Sequence, residues 1–302
     1  MTMNSANLGR FSRKAYRFVR SALTTWKREL VIRREGLELT FATRSPVAKR
    51  WFYPRYASGR RLHEPPVARL IASRLNPSSI FYDVGANLGF FTVLAANVCN
   101  GSQGGVHAFE MDPDLIPLVR ASVDKNPTAG PVCLTCVACS DEVGGFARFR
   151  ADQESNPSTN RLRPSSLADR TGLALQIPTT TIDHYWEQTG ATPNLIKMDI
   201  EGAEAIAVPH MTNLVESHAP EIILEVHPIK IETFGVDPLQ IVDHLLAAGG
   251  YTLFEIGEYR THRASPEDAL TPFQSARLSR TEPTVLFFSR DETLSEAIAV
   301  QD

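Results

Sequence analysis

Short apolar, β-prone runs recur along the chain, and stretches of helical spacing separate them. The runs fall at Ile80 to Val84, Val106 to Phe109, Val132 to Ala138, Ile177 to Ile182, Leu195 to Ile200, Glu221 to Val226, Tyr251 to Ile256 and Thr284 to Phe288. Each is four to eight residues long and bounded by Gly, Pro, Ser or Asp, the mark of buried strands. Helices are predicted over Val67 to Leu75, Phe90 to Val98, Asp112 to about Asn126, Asp183 to Thr189, from Gly202 onward, and over Pro238 to Ala248. Gly249-Gly250 stops the last one. Asp112 and Pro113 read as a cap followed by proline in the first turn. Strands that alternate with helices predict a mostly parallel sheet covered on both faces.

The richest stretch runs from Ser79 to Gly89, S-I-F-Y-D-V-G-A-N-L-G. It reads as strand, glycine turn and helix, the first half of a nucleotide-binding α/β unit. Glycines let a ligand approach the backbone, and the free N–H groups of the helix start face it. The next strand ends in Glu110, 21 residues after Gly89. That is near the offset of about 20 residues at which an acid meets a ribose. The pattern is D-x-G-x-N-x-G rather than the dinucleotide G-x-G-x-x-G. Asp83 would repel a pyrophosphate and favour a cofactor with an amino-acid tail and a sulfonium charge. The structural alternative is a tight βα turn with a structural acid.

Charge divides the chain. Residues 1–63 hold 15 Lys+Arg and 3 Asp+Glu, or +12, and the remainder holds 16 and 31, or −15. An acidic globular part, 64–290, therefore carries a basic extension, 1–63, of a helix and short strands, and a tail, 291–302. Phe11, Val19, Leu23, Trp26 and Leu30 approximate helical spacing within the extension. This arm admits three readings: packing on the globular part or plain disorder, peripheral contact with anionic membrane lipid, and nucleic-acid contact. The acidic globular part argues against nucleic acid. No apolar run reaches the roughly 18 to 20 residues that span a bilayer.

Cys133, Cys136 and Cys139 have C-x-x-C-x-x-C spacing, but on a strand Cys136 points away from the other two. They read as small buried residues rather than a metal cluster. Free thiols without a secretory signal fit a reducing cytoplasm. Two polar stretches are candidate borders of an acceptor site. One is Ala151 to Ala174, with Arg161, Arg163 and Arg170. The other is Arg260 to Pro283, with Arg260, His262, Arg263, Arg277 and Arg280. The bland reading of both is a solvated loop.

Asp83 to Gly89, Phe109-Glu110, and Lys197 to Glu204 (K-M-D-I-E-G-A-E) together resemble the FkbM-type methyltransferases, over roughly Glu64 to Gly257. The resemblance implies a class I, Rossmann-like α/β sheet of seven strands, mostly parallel, with the last antiparallel. It implies S-adenosylmethionine as methyl donor and a hydroxyl acceptor on a saccharide or secondary metabolite. Asp83, Gly85, Ala86, Asn87 and Gly89 are then assigned to the aminoacyl and loop contacts, and Glu110 to the ribose. Ser140-Asp141 is assigned to the adenine edge, or else is a turn. Glu64 falls where an acid often borders the pocket.

Ligands of open α/β sheets bind beyond the carboxyl ends of the strands. Lys197, Asp199 and Glu201 share a face at one strand end, and Glu225 and His227 at another. The resemblance sets these strands beside the one ending in Asp83, and unpartnered buried carboxylates are costly. Mutual neutralisation of Lys197, Asp199 and Glu201 is the structural alternative. A hydroxyl acceptor needs a base, and His227 fits best, with Asp199 second and Glu225 orienting. Asp199, Glu201, Glu225 and His227 are also hard ligands suited to Mg²⁺. Two other functions compete: a nicotinamide-dependent oxidoreductase, and a non-catalytic module that binds S-adenosylmethionine. The missing G-x-G-x-x-G opposes the first, and the intact acids and glycines oppose the second. An RNA or protein methyltransferase would explain the basic arm. The chain has no N-P-P-Y-like tetrapeptide, which favours oxygen over nitrogen as the acceptor atom.

Overall fold

A computed structural model describes residues 29–43, 48, 52–56, 58–149, 175–259 and 270–294. The helical stripe up to Trp26, the loop arginines 161, 163 and 170, and Arg260, His262 and Arg263 lie outside the described residues.

The central sheet is built from β3 (Ile80–Val84), β4 (Gly105–Glu110), β5 (Val132–Cys136), β9 (Leu195–Met198), β10 (Glu221–Val226), β11 (Thr252–Ile256), β12 (Leu270–Pro272) and β13 (Thr284–Ser289). Its order is β12-β11-β13-β10-β9-β3-β4-β5. The five strands from β5 to β10 are parallel, and β13 runs antiparallel to both of its neighbours. The expected count of seven strands is corrected to eight among the described residues. β12 is an added edge strand, with Leu270 opposite Ile256. Its three-residue run ends in Pro272, which an edge position tolerates because no ladder N–H is demanded there.

Consecutive residues of the central strands enter opposite cores. Phe81, Val106 and Ala108 pack with α1 (Pro65–Arg74) and α2 (Phe90–Val98). Tyr82, Val84 and Phe109 pack with α6 (Thr212–His218) and α8 (Pro238–Gly249). Burial on both faces explains why these strands read as continuous apolar runs.

Leu30 does not extend a helix. It lies in β1 (Glu29–Arg34), which pairs antiparallel with β2 (Leu37–Ala42). Glu35 and Gly36 both have positive φ, 54° and 78°, the conformation of a two-residue hairpin turn. Leu30, Ile32, Leu39 and Phe41 join the same core as α2, and Phe41 stacks on Phe90 at 5.5 Å between ring centres. Asn126 latches the hairpin. Its amide donates to the Thr40 carbonyl at 2.8 Å and accepts from the Thr40 N–H at 3.1 Å.

Two further boundaries are corrected. The helix predicted from Asp112 begins at Ile116 and ends at Val123, and is α3. Asp112 instead closes a tight turn, accepting from the N–H of Asp114 at 2.9 Å. The run Val132 to Ala138 breaks at Val137 into β5 and β6 (Ala138–Cys139). β6 belongs to a separate three-stranded sheet with β7 (Phe146–Phe149) and β8 (Leu175–Thr180). Cys139 is therefore buried while Cys133 is exposed, so Cys133 departs from the small-buried-residue reading. No helix among the described residues is long and apolar enough to cross a membrane.

Candidate active site

The parallel strands end together along one edge, and a cleft opens there. Val84, Gly85, Asn87, Phe109, Glu110, Met111, Leu115, Val137, Ala138, Cys139, Asp199, Ile200, Glu201 and Ala203 line it. Gly85 is required by space as well as by conformation. Its φ is +89°, and a Cβ there would lie 2.0 Å from the carbonyl oxygen of Asp199. The turn after β3 thus packs directly on the end of β9, bringing two motifs into one wall. Gly89, at φ +77°, meets Val119 in the same way, at 2.8 Å.

Glu110 closes the other side. Its two carboxylate oxygens accept from the N–H groups of Asn87 at 2.6 Å and Asp112 at 2.8 Å. Burial outweighs those two donors and pushes its pKa up to about 7. Asp83 lies beneath the turn rather than in the cleft, 1% exposed, where it accepts from the Thr92 hydroxyl at 2.5 Å. Burial raises its pKa against the pull of Lys197. Asp83 Oδ1 and Asn87 Oδ1 are both buried without a hydrogen-bond partner among the described residues. Of the two, only Asn87 lines the cleft, and its orphan acceptor is complementary to an N–H-rich ligand. Ser140 is buried and donates to Asp141 at 2.8 Å, and Asp141 is exposed. Neither is a lining residue, because the break at Val137 turns Ala138 and Cys139 toward the cleft instead.

The strand ends of β9 and β10 bring the predicted ionisable residues together. Lys197 Nζ is buried, 3.6 Å from Asp199 and 4.8 Å above the Phe91 ring. Burial alone would lower its pKa, but Asp199, Asp83, Glu64 and Glu225 hold it above its usual value. His227 Nε2 donates to Asp199 Oδ1 at 3.1 Å and lies 3.8 Å from Glu225 Oε1. Burial opposes the charged imidazole, yet the bond to Asp199 and the surrounding carboxylates raise its pKa to about 9. Asp199 is held ionised, against burial, by Lys197 and His227. Glu225 goes the other way: burial, Asp199 and Glu64 push it up to about 8. His227 Nδ1 is buried with no hydrogen-bond partner among the described residues.

Three contributors had no clear signal in the sequence. Tyr259 donates to Glu225 at 3.1 Å. His63 sits 3.6 Å from Glu64 and against Phe90 and Phe91, and burial lowers its pKa despite Glu64. Glu204, the last residue of K-M-D-I-E-G-A-E, is fully buried and accepts from the N–H groups of Ile200 and Gly202, each at 2.7 Å. It therefore holds the turn in which Glu201 takes a positive φ of 59° and pairs with Lys230. An acid two residues after an E-G pair is the available clue to that role.

Asp199, Glu201 and His227 each present one ligand atom, all within 4.8 Å of one another. The set does not fit Mg²⁺. Lys197 engages Asp199 and Lys230 engages Glu201, so a dication would have to displace two ammonium groups.

The Methyltransferase FkbM domain matches residues 83–253. Hexuronic acid methyltransferase AglP of Haloferax volcanii is 27% identical over 186 residues, which are 61% of this chain and 69% of that protein. The crystal structure of methyltransferase FkbM from Methylobacillus flagellatus is 16% identical with a TM-score of 0.42. The match covers 81% of this chain and 55% of that one, so the chain spans little more than half its length. M. jannaschii TYW2, solved in complex with AdoMet, is 11% identical with a TM-score of 0.39, over 87% of this chain and 85% of that one. The family match extends over more than half of the chain and contains the glycine turn, Glu110 and the His227 cluster; this chain belongs to the FkbM methyltransferase family.

Proposed function

We propose that this protein is an S-adenosylmethionine-dependent O-methyltransferase acting on a hydroxyl of a saccharide-class acceptor. The observation that carries this reading is the state of His227. Its Nε2 is tied to Asp199 while its Nδ1 is buried with no partner among the described residues. An imidazole fixed in this way offers one free nitrogen, the arrangement of a base oriented by a carboxylate.

When bound, S-adenosylmethionine supplies an electrophilic methyl group on a sulfonium. Glu110 fits the ribose hydroxyls, and Asn87 with the Gly85 turn fits the aminoacyl end. Neutral His227 removes the proton of the acceptor hydroxyl at Nδ1, and Asp199 stabilises the imidazolium that forms. Glu225, steadied by Tyr259, and Glu64 and Lys197 offer donors and acceptors to neighbouring hydroxyls of the same acceptor. Fixing acceptor and donor in line is itself worth about 7–11 kcal/mol in favourable cases. A saccharide is favoured because the groups gathered around His227 are rich in hydrogen-bonding atoms, and because the relative AglP is named for a hexuronic acid. Membership of the FkbM family displaces the nicotinamide reading.

The test is a screen of glycans, including uronic acids, with labelled S-adenosylmethionine. Wild type should transfer label to oxygen. His227→Asn should bind S-adenosylhomocysteine normally and turn over about 10²- to 10⁴-fold more slowly. Near wild-type turnover by His227→Asn at neutral pH would remove His227 as base.

A further inference from the structure

A second concavity lies on the other side of the segment that carries His63 and Glu64. Arg34, Glu35, Ser58, Arg60, Arg61, Leu62, Pro65 and Arg69 line it, four arginines against one glutamate. Glu35 is already committed. Both of its oxygens accept from Arg69 at 2.7 Å, and one also accepts from Arg34 at 3.0 Å. Arg60 and Arg61 are exposed and have no ion-pair partner among the described residues.

The pocket is built rather than accidental. The Gly59 carbonyl accepts from the Arg33 N–H at 2.8 Å, which pins the loop before Arg60 to β1. Gly59 has a φ of +65°, and a Cβ there would lie 2.6 Å from the Val31 carbonyl oxygen, so this close approach depends on glycine. The Arg69–Glu35 fork fixes the hairpin turn on α1 in the same way. The backbone carrying Arg60 and Arg61 is thereby fixed beside Arg34 and Arg69, which are braced by Glu35.

We infer that this pocket binds a phosphate-class anion, a phosphomonoester or diphosphate. Guanidinium groups bind phosphate oxygens through paired N–H donors, and a cluster with excess positive charge is completed by that geometry. The place is informative. Leu62 and Pro65 line this pocket, while His63 and Glu64 between them act on Lys197, Asp199 and Glu225. A phosphate held here sits one short segment away from the cluster around His227. Its use as a handle on the acceptor rests on the methyltransferase reading, whereas anion binding itself does not.

Calorimetric titration of the full chain with inorganic pyrophosphate tests the site without turnover. Saturable binding is expected, weakened about tenfold for each arginine lost in Arg60→Gln/Arg61→Gln, with the melting temperature unchanged. Arg120→Gln, an exposed arginine on α3, should leave binding as in wild type. Flotation with phosphatidylcholine vesicles, with and without phosphatidic acid, separates the sources. Vesicle capture that the double variant loses and pyrophosphate competes away assigns a lipid headgroup. Pyrophosphate binding without vesicle capture assigns a soluble phosphorylated ligand. No saturable binding by wild type, equal binding by the double variant, or equal weakening by Arg120→Gln would overturn the inference.

Discussion

Glu110 is a carboxylic acid that the fold holds near pH 7, and that has a consequence for cofactor binding. Burial raises its pKa from the usual carboxylate range to about 7, so it is largely neutral at pH 6 and largely ionised at pH 8. The ionised form is the better acceptor for two ribose hydroxyls. S-adenosylhomocysteine affinity should therefore rise by up to about tenfold between pH 6 and pH 8, then level off. Glu110→Gln should bind weakly at every pH. A pH-independent wild-type affinity would mean that this carboxylate does not meet the ligand. His227 gives the complementary profile. Its pKa is raised to about 9 and the base is the neutral form, so turnover should climb from pH 7 through about 9. A rate that is flat over that range would contradict the assignment. Residues of this kind were legible where spacing names them: Gly85, Glu110, Asp199 and His227. Tyr259 and His63 were not, because nothing local in their sequence shows what folding sets beside them.

Among the elements, the turn after β9 best shows what a motif hides. K-M-D-I-E-G-A-E reads as alternating acids on one face, yet Glu204 turns back into the backbone and caps Ile200 and Gly202. Its pKa, raised by burial to about 7, reflects that position. Glu204→Ala leaves two buried N–H groups unpaired and should cost about 2–6 kcal/mol in chemical denaturation. A loss below about 1 kcal/mol would mean that the turn is held by something else. The first strand of the hairpin β1–β2 was misread for a different reason, whereas β2 falls where short strands are expected. Leu30 fits a helical stripe by spacing alone, whereas the Leu30, Ile32, Leu39, Phe41 alternation and the Glu35-Gly36 turn specify strands once their partner is counted. Asn126, 86 residues from Thr40, supplies the latch, and no short window contains it.

At the scale of the whole molecule, the order of strands makes the chemistry. β3, β9 and β10 are neighbours in the sheet although about 115 and 25 residues separate their starts, and their ends place Gly85, Asp199 and His227 on one rim. Apolar periodicity was sufficient to read the parallel layers. It missed β12, whose three residues carry too little pattern to stand out from a loop. The same rim decides the metal question. Lys197 and Lys230 already neutralise the carboxylates that would ligate a dication, so full activity should persist after EDTA treatment. Loss of activity that added Mg²⁺ restores would contradict this.

The central claim is that the cleft between Asn87, Glu110 and Asp199 holds the methyl donor. Calorimetric titration of folded protein with S-adenosylhomocysteine tests it most directly. One saturable site is predicted, weakened about tenfold or more by Glu110→Ala. Absence of binding by the folded wild type, or an unchanged affinity in Glu110→Ala, would contradict it.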